Sequence, residues 1–172
     1  MRSLRLVVDA SVATSAGEQN KRGEGCRKVL QEILEICHHL TMTDRIFTEW
    51  RSHCQKFARQ WRVSMYARKK VDWVPSDEDE PLQSRIVRAL ARPKEQAVVK
   101  KDMHLIHAAL FSDCIVLSAD EVAPGCFSKA AATVNELERI GWANPASQSE
   151  DIVGWLKSAG KPRRRFSLGK DG

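Results

Sequence analysis

Two short apolar runs, each ending at an aspartate, constrain this chain more than anything else in it. Leu4-Arg5-Leu6-Val7-Val8 stops at Asp9, and Cys114-Ile115-Val116-Leu117 leads through Ser118-Ala119 to Asp120. Runs this short and rich in branched residues read as strands buried on both faces. Between them lie segments with helical periodicity. Val29, Leu30, Ile33, Leu34, Ile36 and Cys37 predict an amphipathic helix over about 24–39. Trp50, Cys54, Phe57, Trp61 and Met65 predict one long helix starting near Thr48, its aromatic stripe turned to the core. Further short strands are expected at Leu40–Thr43, Lys70–Val74 and near Trp142, and further helices around Leu82–Leu90, from Asp102 to Leu110, and over 128–140. Ser76 is expected to cap the helix carrying Leu82, which makes the acids of 77–80 a solvated helix start. Strands alternating with helices make the fold class α/β, a Rossmann-like three-layer arrangement whose central, mainly parallel sheet is flanked by helices.

The 172 residues, 42% of them apolar, suit one compact domain with a short appendage. The expected division is 1–145 for the domain, 146–160 for a helical extension and 161–172 for a basic, disordered tail. That tail holds five of the basic residues (Lys161, Arg163, Arg164, Arg165, Lys170) against one acid, so most of the net charge of +6 sits there. Arg163, Arg164 and Arg165 are its candidate contacts to a polyanion. No run reaches the roughly 18 apolar residues of a membrane span, so no membrane association is expected and the cytoplasm is the default compartment. The five cysteines are odd in number and lack a C-x-x-C pair, which reads as reduced thiols. His38 and His39 read as a surface pair at a helix end.

Ligand sites in parallel sheets form outside the carboxyl ends of the strands. Asp9 and Asp120 end strands there. A helix that feeds a parallel strand starts at that same edge, which brings in Asp102 at the expected start of one helix and Glu49 in the expected first turn of another. Asp44 competes with Glu49, and Glu121 with Asp120, for their places. Four carboxylates together repel one another and raise each other's pKa, and a divalent cation relieves the conflict. Hard oxygen ligands suit Mg²⁺ or Mn²⁺, and the chemistry this combination points to is phosphodiester hydrolysis. Asp9 would be the central metal ligand, Asp102 and Asp120 further ligands, and Glu49 a ligand or the orienter of the attacking water.

The segment Leu6-Val7-Val8-Asp9-Ala10-Ser11-Val12 resembles the opening motif of PIN-domain nucleases. Asp102-Met103-His104-Leu105-Ile106-His107-Ala108-Ala109-Leu110, followed by Cys114–Asp120, resembles their closing motif, and the order Asp, Glu, Asp, Asp matches. The resemblance spans about residues 4–142 and is weak in the middle, and the long middle section, the basic tail and Ser112-Asp113 in place of a glycine turn depart from the family pattern. It implies a Mg²⁺- or Mn²⁺-dependent ribonuclease acting on single-stranded RNA, with Ser11 and Ser118 supporting the acids or touching phosphate. Many such proteins are toxins of toxin/antitoxin pairs, inhibited by a small antitoxin protein and often homodimeric. The competing expectation is a PIN-like module that binds RNA or a protein without cutting, and a third is a flavodoxin-like ligand or signalling domain.

Overall fold

In the computed structural model, residues 2–76, 79–158 and 164–169 are described. The chain runs β1 (Arg5–Val8), α1 (Ala10–Ser15), α2 (Lys21–Ile36), β2 (His39–Met42), α3 (Asp44–His53), α4 (Lys56–Ala67) and β3 (Val71–Trp73). It continues through α5 (Glu80–Arg88), α6 (Pro93–Leu110), β4 (Ile115–Leu117), α7 (Ala123–Ala131), β5 (Gly141–Ala143) and α8 (Pro145–Ser158). The five strands form one parallel sheet in the order β3-β2-β1-β4-β5. Its register sets Leu6 beside Leu40, Val7 beside Val116, and Val116 beside Trp142. Leu6, Val7, Val8, Val116 and Leu117 are buried, as the unbroken apolar runs require of strands covered on both faces.

The chain winds outward from β1 to β3 and then crosses back to β4, so right-handed crossovers put the two sets of helices on opposite faces. The contacts agree. α1, α2, α4 and α8 pack among themselves, as do α5, α6 and α7. The reversal falls between β1 and β4, the point at which such sheets open a crevice at their carboxyl edge. α3 touches α1 of one layer and α6 of the other, and so closes over that edge.

Several sequence expectations are corrected. The long helix from Thr48 is two helices, α3 and α4, because Cys54 and Gln55 are extended. The tryptophans give the reason. In one continuous helix Trp50 and Trp61 would lie about 16 Å apart along the axis. Here their rings stack with centroids 5.7 Å apart. Trp50 donates its indole N–H to Val8 O and Trp61 donates to Leu30 O, so each ring is anchored to a different element.

Asp102 does not open a helix. α6 starts nine residues earlier at Pro93, whose fixed φ suits a first helical turn. Residues 93–101 are mostly exposed, with only Val99 buried, so this half of the helix shows little apolar periodicity in the sequence. The expected helix over 128–140 is instead α7 followed by a 3-10 turn at Asn135–Arg139, separated by extended Val134. Ser76 is not the cap of α5. Asp79 accepts from Leu82 N at 2.9 Å, while the Ser76 hydroxyl accepts from Asp44 N. Asp77 and Glu78 lie outside the described residues.

His38 is not on the surface. It is buried, its Nδ1 accepting from Leu4 N and its Nε2 bonded to Leu156 O. In the turn before β4, Cys114 takes the left-handed conformation at φ 59, and Asp113 accepts the Arg5 N–H. The five cysteines are free thiols.

The C-terminal segments are integral to the core. α8 lies along α2 and buries Ile152, Val153, Trp155 and Leu156. Residues 164–169 return to the sheet edge and are not a disordered tail. Phe166 and Leu168 are buried, and Phe166 packs on Trp155 with centroids 5.4 Å apart. Leu168 N donates to Ile140 O, and Ser167 forms an antiparallel bridge with Gly141. Among the described residues no helix is long and apolar enough to cross a membrane.

Candidate active site

Asp9 is the first residue beyond β1 and takes the N-cap position of α1, yet its carboxylate caps nothing. Both hydroxyls expected beside it are there. Ser11 donates to Asp9 Oδ2 at 2.5 Å and Ser118 donates to the same oxygen at 2.7 Å. Each serine in turn accepts a backbone N–H from the turn after β4, Ser11 from Ala119 and Ser118 from Asp120. The turn thus fixes the hydroxyls, and the hydroxyls fix Oδ2. Among the described residues Oδ1 of Asp9 has no hydrogen bond.

Asp120 lies two residues past Ser118. Its Oδ1 accepts from Val122 N at 2.6 Å and Ala123 N at 3.0 Å, which ties it to the start of α7. Asp102 reaches the same edge by a route other than the expected one. α6 has 18 residues, about 27 Å, against strands of three or four residues spanning about 10–13 Å. Its last two turns cover the sheet and the rest overhangs the carboxyl edge. Asp102 falls where the overhang begins.

Glu49, in the second turn of α3, is held from both sides. Arg45 approaches Oε1 at 3.4 Å, and His104 Nε2 meets Oε2 at 3.0 Å. Arg45 also donates to Lys101 O at 2.6 Å, joining α3 to α6.

All four acids line a single cavity of about 420 Å³, together with Ser11 and Lys101. Asp44 and Glu121 are not among its lining residues, and Glu121 pairs with Arg22. Lys101, His53, Arg45 and His104 are the residues that sequence reasoning missed. Their signal was the i, i+4 spacing of Arg45 with Glu49 and the position of Lys101 and His104 one and two residues from Asp102. Arg163 and the Arg164 side chain lie outside the described residues, while Arg165 pairs with Asp151 and stacks over Phe166.

The electrostatics are those of crowded acids. The Asp102 carboxyl is pushed up to about 6, first by burial and then by Asp9, Asp120 and Glu49, with Lys101 opposing. Asp102 is in mid-helix, so no helix N-terminus favours its ionised form. The His104 imidazole is lowered by burial, against the pull of Glu49. Among the described residues no three acidic, imidazole or thiol side chains close around one point. The carboxylates therefore share a cavity without forming a closed ligand cage.

Comparison of the chain with protein-family models, curated proteins and solved structures gives no match. The reading of the site consequently rests on its own geometry. The donors fit a hard cation in type: they are carboxylate oxygens, and Mg²⁺ commonly binds through one or two carboxylates while retaining waters and substrate phosphate oxygens. An open cavity suits that mode better than a closed cage does.

Proposed function

We propose that this protein is a Mg²⁺- or Mn²⁺-dependent endoribonuclease of the PIN-domain type, hydrolysing phosphodiester bonds of single-stranded RNA. The observation that carries the reading is the meeting of Asp9, Glu49, Asp102 and Asp120, from four separate parts of the chain, in one cavity where burial, and after it the neighbouring acids, push the Asp102 carboxyl up. Such crowding weakens the fold and is sustained where cations neutralise it. Asp9, Asp102 and Asp120 would hold the metal, with Glu49 as a further ligand or the orienter of water. Bound there, Mg²⁺ or Mn²⁺ supplies positive charge to the scissile phosphate and lowers the pKa of an attacking water.

The chain's own residues supply the rest. Ser11 and Ser118 hold Asp9 Oδ2, leaving Oδ1 to face a ligand. Arg45 and His104 restrain Glu49 from opposite sides. Lys101 and His53, on the cavity lining, would meet phosphate oxygens of an incoming strand. The toxin/antitoxin setting, with a small antitoxin partner and a homodimer, belongs to this proposal through the resemblance alone.

One observation favours the second reading, an RNA-binding module that does not cut: among the described residues no three candidate ligands close around a point. The deciding experiment incubates the purified protein with a varied single-stranded RNA pool, with Mg²⁺, Mn²⁺ or EDTA. Cleavage that EDTA stops and Asp9→Asn abolishes supports the nuclease. Binding without cleavage under every metal condition transfers the case to the module.

A further inference from the structure

A second cavity, of about 370 Å³, adjoins the acidic one. The same two chain segments line both in order. Thr14, Ser15 and His53 border the first cavity, and Ala16, Gly17 and Gln55 border the second. Thr14 Oγ1 donates to His53 O at 3.4 Å where the two segments meet. Gln19, Arg27, Lys56, Phe57 and Gln60 complete the lining of the second cavity.

The composition of that wall is specific. Gln19, Gln55 and Gln60 each bring a side-chain amide that, among the described residues, has no hydrogen bond. Gln55 stands at the N-cap position of α4 yet caps nothing with its side chain. Its stem lies over Gly17, where a Cβ would fall 2.3 Å from Gln55 Cγ, so the absence of a side chain at Gly17 is what seats it. Phe57 is half-buried and offers a ring, and Lys56 is exposed and unpaired among the described residues. Arg27 donates to Ala16 O and Glu18 O, both at 2.7 Å, so a fixed positive charge sits beside the cavity. Unpaired amides carry both a donor and an acceptor, as base edges require, and single-stranded RNA is read by stacking on aromatic rings together with such edge contacts.

We propose that this second cavity binds the base of a nucleotide flanking the scissile phosphate, with Gln19, Gln55 and Gln60 on its edge, Phe57 against its face, and Lys56 and Arg27 near the backbone. The inference rests on the ribonuclease reading for what occupies the first cavity. It adds a site that selects the substrate by its base. The alternative is a solvated cleft with no ligand.

The test uses the full chain, the exposed double variant Gln19→Ala/Gln60→Ala, and a single-stranded RNA oligonucleotide in intact form and with one abasic residue at each position in turn. Bis(p-nitrophenyl) phosphate serves as a phosphodiester without a base. Removing the one base that occupies the cavity should raise KM about fivefold or more for the unaltered protein, the scale of one lost stacking partner. The double variant should show a raised KM for intact RNA, little further penalty from that abasic position, and unchanged hydrolysis of the base-free diester. An equal abasic penalty in both proteins, no abasic penalty at any position, or an equal fall on the base-free diester overturns the subsite. If the unaltered protein cleaves neither substrate, the nuclease reading fails separately. The same comparison by fluorescence anisotropy then decides the subsite: a position-specific loss of affinity confined to the unaltered protein supports it, and equal losses overturn it.

Discussion

Ser118 donates its hydroxyl to Asp9 Oδ2 across 2.7 Å, from the turn after the strand that lies beside the one Asp9 terminates. Its oxygen simultaneously accepts the Asp120 N–H. One hydroxyl therefore couples the positions of two acids that the sequence separates by more than a hundred residues. Removing it leaves Asp9 Oδ2 held by Ser11 alone and loosens the turn that carries Asp120.

Ser118→Ala is accordingly expected to lower divalent-cation affinity about 10- to 100-fold, the usual effect of losing a partner that orients a ligand. Titration calorimetry with Mn²⁺ measures this directly. Because Ser118 is fully buried, Ser118→Cys provides a closer steric match. Wild-type affinity in both variants would remove the hydroxyl from the site's architecture.

Divalent cations should raise the melting temperature of the native sequence and leave Asp9→Asn nearly unmoved. At a concentration about 100 times Kd a ligand stabilises by about 2.7 kcal/mol. For a chain of this size that corresponds to about 5 to 10 °C. Differential scanning fluorimetry with Mg²⁺, Mn²⁺ and EDTA reads the shift, and equal responses in the two proteins would take Asp9 out of the metal site.

Metal-free stability should fall as pH rises through the interval between the ordinary aspartate value of 3.8 and about 6. In that window the folded protein holds a proton on Asp102 that the unfolded chain has released, so deprotonation favours unfolding. Above it the penalty is on the order of 2–3 kcal/mol. Asp102→Asn removes it, and is expected to be the more stable protein at pH 7.5 while losing this slope between pH 4 and 6. Urea denaturation in EDTA across that range checks the sign. A variant less stable than the native sequence at pH 7.5 would mean that Asp102 is structurally satisfied as a carboxylate.

Phe166→Ala should cost about 3–5 kcal/mol, since it empties a buried site against Trp155. Arg165→Ala should cost under about 1 kcal/mol, because its pair with Asp151 is exposed. A truncation after Gly160 would remove Phe166 and Leu168 from the core along with the basic residues. Denaturant midpoints of the two variants distinguish a docked segment from a merely basic one. Equal, small losses would mean that the aromatic contact contributes nothing.

Local pattern determined much of this protein. The apolar runs at Leu4–Val8 and Cys114–Leu117 can be buried only as strands in a covered sheet, and alternation with helices makes that sheet parallel. Its carboxyl edge then collects Asp9 and Asp120 whatever the intervening chain does. Tertiary structure decided what that pattern does not encode. Whether Trp50 and Trp61 belong to one helix or two depends on which carbonyls their indoles reach, Val8 O and Leu30 O, both remote in sequence. Asp102 arrives through the overhang of α6, whose exposed half shows no apolar period, so its place is set by helix length against strand length. The restraint of Glu49 by His104 and the Leu168 N–H bond to Ile140 O join residues remote in the chain. Contacts of that kind exist only after the chain has closed, because periodicity records which face a residue turns inward and not which residue it meets there.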